Sequence, residues 1–129
     1  MNTITKIFHF EAAHYLPDHQ GKCRNTHGHS YKLEVTVEGS IKLEGAESGM
    51  VMDFGRLKEI VNKEIVSLVD HTMLNASVWK TFLPPTAENL CNFFAAKLLS
   101  YELPIIHIRL WETVDSHADW WNMSYFGRR

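Results

Sequence analysis

Cysteine, long apolar runs and an excess of either charge are all scarce in this sequence. Two cysteines among 129 residues are too few for a disulfide framework or for a structural metal site made of cysteine thiolates alone. No apolar run approaches the ~20 residues of a transmembrane helix. The formal net charge of −2 argues against nucleic acid or an anionic membrane as a partner that depends on a basic surface.

Length and composition indicate one globular domain. The chain is 45% hydrophobic and 22% charged, and 129 residues leave no room for a second domain, so we expect a single domain over residues 1–129. The first residues lack the basic and then apolar layout of a signal peptide. Together with the low cysteine content, this predicts a cytoplasmic protein.

Hydrophobic periodicity predicts four strands and two helices. Period-two alternation indicates strands over residues 3–14, 27–39, 105–112 and 119–126. The helix over residues 54–69 would begin at the N-cap Asp53 and bury Phe54, Leu57, Val61, Ile65 and Leu68. The helix over residues 87–101 would begin at the N-cap Thr86.

The β-β-α-α-β-β order predicts an α+β domain with two helices on one face of an antiparallel sheet. We expect Ile7, Ile105 and Trp111 on the opposite face, which together with two open sheet edges favours an oligomer. The alternative is a monomer whose loops cover its edges.

The histidine content is high, with eight histidines among 129 residues, and three of them are predicted to lie close together. His27 and His29 lie on one face at the start of the second strand, and His14 ends the first strand on its apolar face. Imidazoles on an apolar face need partners. One metal ion would satisfy all three and keep an open fourth position, as in catalytic zinc sites.

Core histidines bonded to backbone carbonyls are the alternative to this metal site. Zinc is favoured by ligand type, while iron or another divalent ion stays open. Four other histidines do not share a strand face with one another or with this cluster, and we interpret them as surface or structural residues. They are His9, His19, His107 and His117.

Cys23 precedes the predicted metal ligands and lies between two cations, Lys22 and Arg24. Flanking cations and a nearby metal favour a thiolate, which suits a general base or a nucleophile. The alternative is a loop cysteine without a role. Cys91 falls among apolar residues of the second helix and is interpreted as a small core residue.

Two carboxylates are further candidates for the chemistry. Asp70 and His71 are adjacent, so they form either an orienting pair or a helix end with a histidine near the dipole. Glu112 ends the third strand on its apolar face. It could accept two N–H bonds from a guanidine-like ring edge, or it could be half of a buried salt bridge.

Six motifs occur together in one order. They are FEAAH at residues 10–14, CRNTHGHSY at 23–31, GMVMDF at 49–54, DH at 70–71, PTAEN at 85–89 and ET at 112–113. In this combination the chain resembles the 6-pyruvoyltetrahydropterin synthase and 6-carboxytetrahydropterin synthase (QueD) family, over roughly residues 4–113. Residues 117–129 depart from the family pattern.

The resemblance implies a fold, an assembly and a set of site residues. The fold would be the tunnelling fold, whose subunits form an oligomeric barrel, typically a homohexamer of two trimers with catalytic groups from more than one subunit. By resemblance, Zn²⁺ would be held by His14, His27 and His29. The proton acceptor would be Cys23 with Asp70 and His71 as a relay, and the pterin would be bound by Glu112, Thr86 and Glu88.

The resemblance also implies a zinc-dependent lyase acting on 7,8-dihydroneopterin triphosphate, a small-molecule pterin substrate. One family branch eliminates triphosphate to give 6-pyruvoyltetrahydropterin. The other releases acetaldehyde and triphosphate and gives 6-carboxytetrahydropterin, a precursor in queuosine biosynthesis. The C-x3-H-G-H spacing at residues 23–29 favours the carboxy-forming branch. A non-catalytic, zinc-stabilised binding module is the alternative from another class.

Overall fold

A hairpin of two long strands lies at the centre of the fold. The computed structural model describes residues 1–78 and 83–126. β1 (Asn2–His14) and β2 (His27–Gly39) pair antiparallel over their full length, with Asn2 opposite Gly39 and His14 opposite His27. The clean alternation of apolar and polar residues in β2 explains this register, because a shift by one residue would expose its apolar face. Both predicted strands are confirmed.

The hairpin belongs to a five-stranded sheet of order β3-β1-β2-β4-β5. β4 (Ile105–Thr113) pairs antiparallel with β2, and β5 (Ser116–Trp121) pairs antiparallel with β4. β3 (Thr72–Met73) runs parallel to β1 at the other edge. The sheet is therefore mixed rather than antiparallel as predicted, because a strand of two residues is too short to show a periodicity.

The helical segments are α1 (Phe54–Val61), a π-helical segment (Asn62–Val66), α2 (Ser67–Val69), α3 (Leu74–Ser77), α4 (Ala87–Leu99) and α5 (Met123–Phe126). The predicted N-caps are confirmed, since Asp53 accepts from the Gly55 amide and Thr86 accepts from the Asn89 amide. Among the described helices, none is long and apolar enough to cross a bilayer.

The π-helical segment explains which face of the first helical stretch is buried. The fully buried residues Leu57, Val61, Ile65 and Val69 follow at intervals of four. An α-helix has 3.6 residues per turn, so side chains four residues apart would point in progressively different directions around its axis. The wider π turn compensates for this rotation, and the four side chains all face the sheet. The predicted inward position of Phe54 is wrong, because Phe54 is exposed, whereas Leu68 is partly buried and packs against the core as predicted.

The hydrophobic core lies between one sheet face and the helices. Phe10 stacks on Tyr31 with ring centroids 4.8 Å apart and meets Phe94 of α4 edge-on at 6.2 Å. On the opposite face, Ile7 is 46% exposed, as predicted. The prediction for Ile105 is wrong, because a register shift in the β2–β4 pairing leaves both Ile105 and Ile106 buried.

The C-terminal hairpin also differs from the prediction. The sequence predicts a fourth strand over residues 119–126, but β5 covers Ser116–Trp121 and the chain is helical at Met123–Phe126. Asn122 ends the ladder, because its amide donates to the Ile106 carbonyl at 2.9 Å and its side chain donates to the Ile105 carbonyl at 3.0 Å. The segment that departs from the family pattern covers residues 117–129, and its last three residues, 127–129, lie outside the described residues.

Candidate functional site

Three histidine rings converge where β1 ends and β2 begins. His14 is fully buried, His27 lies opposite it, and His29 follows on the same face of β2. One ring nitrogen from each lies within 4.8 Å of the others. His29 also lies 5.6 Å from the buried ring of Tyr31. The prediction that all three rings face the core side is confirmed.

Hydrogen bonds to backbone carbonyls orient two of these rings. His14 Nδ1 donates to the Pro85 carbonyl at 2.8 Å, and His27 Nδ1 donates to the Asn25 carbonyl at 2.7 Å. A neutral imidazole that donates through Nδ1 carries its lone pair on Nε2. The two Nε2 atoms nevertheless lie 3.1 Å apart. Metal-binding histidines are typically oriented by such second hydrogen bonds.

The third ring, that of His29, contributes a nitrogen that lacks a hydrogen-bond partner. His29 Nε2 is buried and has none among the described residues. The pKa of His29 is lowered, chiefly because burial disfavours its charged form. The negative charge of Glu112 raises this pKa, whereas the neighbouring rings of His14 and His27 lower it further. An uncharged ring is the metal-binding form. The donor set fits one divalent ion with an open fourth position, whereas bonds to carbonyls account only for the Nδ1 atoms of His14 and His27.

Glu112 reaches this histidine cluster from the core face of β4, the face that also carries the buried Ile108 and Leu110, as predicted. Trp111 lies opposite His117 and Thr113 lies opposite Ser116, so Glu112 has no partner in β5. Glu112 Oε1 lies 3.5 Å from His29 Nε2, and the side chain is 28% exposed. The carboxylate is therefore both next to the candidate metal site and accessible.

A groove of about 350 Å³ adjoins Glu112 and is called the Glu112 groove below. It lies between the N-terminal end of α4 and the β4–β5 hairpin, and Glu88, Ser116, His117 and Asp119 also line it. Thr86 is half-buried at the N-cap, where its hydroxyl oxygen accepts from the Asn89 amide at 3.2 Å. Glu88 thus shares a groove with Glu112, while Thr86 caps α4.

Asp70 and His71 form a pair held by the backbone of β1. Asp70 Oδ1 lies 3.0 Å from His71 Nδ1 and accepts from the Glu11 amide at 2.9 Å. The pKa of Asp70 is lowered, chiefly by the hydrogen bond from the Glu11 amide. Burial raises this pKa, and the contact with His71 lowers it further. His71 has a left-handed backbone with φ of 60° and donates its amide to the Glu11 carbonyl.

A second groove connects this pair with the histidine cluster. His71 is 79% exposed, and it lines an open groove of about 470 Å³ together with His29 and Glu11. The structure therefore brings Asp70 and His71 to the metal-site end of the hairpin. Of the two interpretations left open by sequence, the orienting pair is the one that the contacts match.

The two cysteines lie in different environments. Cys23 is half-buried in a 3-10 turn (Lys22–Arg24), and its carbonyl accepts from the Leu16 amide at 2.7 Å. Cys91 is buried in α4, as predicted, and burial is the chief cause that raises the pKa of its thiol to about 12.

A polar cluster on the β4–β5 hairpin was not predicted. Asp119 Oδ1 accepts from His107 Nε2 at 2.6 Å and from Arg109 Nε at 2.7 Å. Asp119 Oδ2 forms an ion pair with His117, whose Nδ1 lies 2.8 Å away. From sequence, His107 and His117 carry only a surface or structural interpretation. Residues 107, 109, 117 and 119 alternate along two strands, so a correct pairing of those strands would have predicted the cluster. The fourth strand is predicted at the wrong residues, and the pairing could therefore not be read from the sequence.

The fold and the site together define a class of protein, namely α+β proteins with a candidate three-histidine metal site at the end of a hairpin. The model of the family "6-pyruvoyl tetrahydropterin synthase" matches residues 3–122, and the chain belongs to this family. Its fold is accordingly the tunnelling fold.

Individual relatives agree with this assignment. The chain is 40% identical to a 6-carboxy-5,6,7,8-tetrahydropterin synthase of Haemophilus influenzae, covering 93% of this chain and 99% of that protein. A synthase of the same name from Synechocystis is 42% identical, with 89% of each chain covered. The 6-pyruvoyl tetrahydropterin synthase of Caenorhabditis elegans superimposes with a TM-score of 0.81 at 27% identity, covering 94% of this chain and 95% of that one.

Proposed function

We propose that this chain is a zinc-dependent 6-carboxy-5,6,7,8-tetrahydropterin synthase that acts on 7,8-dihydroneopterin triphosphate and releases acetaldehyde and triphosphate. The observation that carries the proposal is the convergence of His14, His27 and His29, with facing Nε2 atoms, beside the accessible carboxylate of Glu112. The choice of product is supported by the names of the relatives that are at least 40% identical.

In this proposal His14, His27 and His29 hold the ion. A zinc ion bound there would supply Lewis-acid polarisation of a substrate oxygen. Glu112 accepts N–H bonds from the pterin ring, because a carboxylate can take two parallel donors from a guanidine-like edge. Glu88 lines the same groove. Thr86, whose side-chain oxygen accepts from the Asn89 amide, is proposed to donate its hydroxyl proton to the pterin.

Proton movement is assigned to Cys23, Asp70 and His71. Cys23 would accept a proton from a substrate side-chain carbon or oxygen. Asp70 orients His71 through Nδ1, which leaves Nε2 available for proton transfer in the groove that His71 shares with His29. The relay would then exchange its proton with solvent, because His71 is largely exposed.

We further propose a homohexamer of two trimers as the active assembly. The sheet face opposite the helices exposes Ile7, and the edge strands β3 and β5 are short. Lateral pairing of such edges between subunits would extend the sheet into a barrel. Catalytic groups from neighbouring subunits would complete each site.

Product analysis tests the function directly. Purified protein is incubated with 7,8-dihydroneopterin triphosphate, and acetaldehyde and the pterin products are quantified. Acetaldehyde in equal amount with 6-carboxytetrahydropterin is expected. Substrate loss with 6-pyruvoyltetrahydropterin and no acetaldehyde would support the pyruvoyl-forming alternative. Binding without turnover, unchanged in Cys23→Ala, would support the zinc-stabilised binding module.

The role of Glu112 has a separate test. Glu112→Gln keeps the size of the side chain but replaces one acceptor oxygen with a donor, so we expect pterin affinity to fall at least about tenfold. Metal content should stay unchanged. Glu59→Gln, at an exposed position of α1, is the matched control. Wild-type affinity in Glu112→Gln would exclude Glu112 as the anchor.

A further inference from the structure

Tyr31 packs beside the histidine cluster on the core face of β2, two residues after His29. Its side chain is 1% exposed. The ring stacks on Phe10 with centroids 4.8 Å apart. It also meets the rings of His29 and His14 edge-on, at 5.6 and 6.4 Å. Packing against these rings fixes the ring of Tyr31, and the position of its hydroxyl oxygen is fixed with it.

The hydroxyl of Tyr31 is a buried donor without an acceptor in this arrangement of the side chains. No hydrogen-bond partner for it is found among the described residues. A buried phenol usually has a partner, because a donor that has lost water without gaining an acceptor costs folding free energy. Phenylalanine would fill nearly the same space without that cost. The hydroxyl therefore points to an acceptor that a neighbouring side chain can bring to it.

Glu112 is the neighbouring acceptor on the same face of the sheet. The β2–β4 register pairs Leu33 with Leu110, and the same register, continued to the next residues on this face, places Tyr31 beside Glu112. Opposite residues on one face of an antiparallel pair are close enough for their side chains to interact. Burial is the chief cause that raises the pKa of Tyr31, and the negative charge of Glu112 raises it further. The carboxylate therefore acts on the phenol electrostatically.

Among the described residues, none donates a hydrogen bond to the Glu112 carboxylate. Its contact is with His29 Nε2 at 3.5 Å, and that nitrogen has no hydrogen-bond partner among the described residues either. Rotation of the Glu112 side chain toward Tyr31 would therefore break no hydrogen bond. A carboxylate offers about four acceptor sites, so a bond from the phenol leaves those that face the Glu112 groove for a ligand.

We propose that Tyr31 is a positioning residue for Glu112: its hydroxyl donates to the Glu112 carboxylate and fixes the direction in which that carboxylate faces a ligand in the Glu112 groove. The inference rests on the proposed function for the identity of the ligand, a fused pyrimidine ring with amino and ring N–H donors. Tyr31 touches neither the ligand nor the ion in this scheme, because its hydroxyl is buried. Its effect on binding passes through Glu112.

Tyr31→Phe is the sharpest variant, because it retains the ring that stacks on Phe10 and removes only the hydroxyl. Affinity for unsubstituted pterin is measured by fluorescence titration, and KM and kcat are measured with 7,8-dihydroneopterin triphosphate. We expect the pterin Kd and the KM to rise about fivefold, because the ligand must then order a carboxylate that is no longer held. The kcat and the metal content should stay within about twofold of wild type, since only binding is affected.

A double-mutant cycle separates this role from general packing. In Glu112→Ala the carboxylate is absent, so the further change Tyr31→Phe should cost less than about twofold in pterin affinity. Tyr101→Phe is the matched control, because the Tyr101 hydroxyl also bonds to a glutamate, Glu64, but at an exposed position outside the groove. It should bind pterin within about twofold of wild type.

Three results would overturn the inference. The first is a wild-type Kd and KM in Tyr31→Phe. The second is an equal loss from Tyr31→Phe in the wild-type and Glu112→Ala backgrounds, because the hydroxyl would then act independently of the carboxylate. The third is loss of metal from Tyr31→Phe, because the hydroxyl would then act on the histidine cluster.

The two proposals can fail separately. If Tyr31→Phe weakens pterin binding only when Glu112 is present, but no triphosphate substrate is converted by the wild type, the proposed function is wrong and the role of Tyr31 stands. If the substrate is converted and Tyr31→Phe leaves the Kd and KM unchanged, the role of Tyr31 alone is wrong. A wild type that neither binds pterin nor converts the substrate overturns both.

Discussion

The Nε2 atoms of His14 and His27 lie 3.1 Å apart, although both rings donate their Nδ1 protons to backbone carbonyls. Two lone pairs at that distance repel each other unless a cation or a proton lies between them. A proton could satisfy this pair but not His29 Nε2, which is buried near both. The geometry therefore favours an ion over a protonated histidine pair.

The first prediction concerns the metal ligands. His29→Ala removes one of three ligands, so metal per chain measured by elemental analysis should fall from about one to below about one tenth after dialysis. The unfolding temperature should fall too, because a bound ion stabilises the folded state. His9→Ala, at an exposed position of β1, is the control. Metal-free wild type with full turnover would instead indicate pterin chemistry without zinc.

The second prediction concerns the two cysteines. At pH 8 a thiol with a pKa of about 12 is ionised to only about one part in ten thousand, so Cys91 should resist iodoacetamide. Cys23, half-buried in its turn, should be modified first. Peptide mass spectrometry at successive times measures both sites. Cys23→Ala should abolish turnover with metal retained, whereas Cys91→Ala should remain active. Faster modification of Cys91 would contradict the burial argument.

The third prediction separates stability from activity at His71. A left-handed backbone costs a residue with a Cβ about 1–2 kcal/mol, while glycine adds about 0.5–1 kcal/mol of lost chain entropy. His71→Gly and His71→Ala should both lose turnover, because both lack the imidazole. His71→Gly should be the more stable by about 0.5–1 kcal/mol in denaturant unfolding. Equal stabilities would show that the backbone is not strained there.

The fourth prediction concerns acid stability of the loop before α1. Arg56 donates to both carboxylate oxygens of Glu47, at 2.7 and 2.8 Å, and Glu47 also accepts from the Asp53 amide. These bonds, led by that from Arg56, lower the pKa of Glu47 to about 2. The stabilisation should be complete above the ordinary value near 4.5 and should be lost as the pH falls through 2.

Carboxyl-carbon NMR titration of Glu47 measures this midpoint directly. The stability difference between wild type and Glu47→Gln should also shrink between pH 5 and pH 2.5. Glu44→Gln, an exposed position of the same loop, should show no such trend. A Glu47 midpoint above about 4 would exclude the ion pair in solution.

The histidine cluster was predictable because strand parity determines it. β1 and β2 alternate so regularly that the face of each ring follows from its position, and the hairpin register then brings His14 opposite His27. The orientation of the rings was not predictable, because the acceptor for His14 Nδ1 is the carbonyl of Pro85, which is 71 residues away in sequence.

The C-terminal hairpin was less predictable. Alternation at Trp121, Met123 and Tyr125 suits a strand, and only the bonds from Asn122 to the start of β4 show why the strand ends. The face of Glu112 was predictable, because Glu112 shares the strand parity of the buried Ile108 and Leu110, but its missing partner in β5 was not, because a bulge leaves no periodic signal. The cluster around Asp119 depends on the register of β4 and β5, which a shifted strand boundary changes.

The bond between His14 Nδ1 and the Pro85 carbonyl joins the candidate metal centre to the residue just before the N-cap of α4. An ion bound at His14 and the docking of that helix end are therefore thermodynamically linked, and the linkage is reciprocal. Substitutions that loosen α4 from the sheet should weaken metal binding without touching a ligand. Metal loading should in turn slow amide hydrogen exchange in the first turn of α4, far along the chain from the ligands themselves.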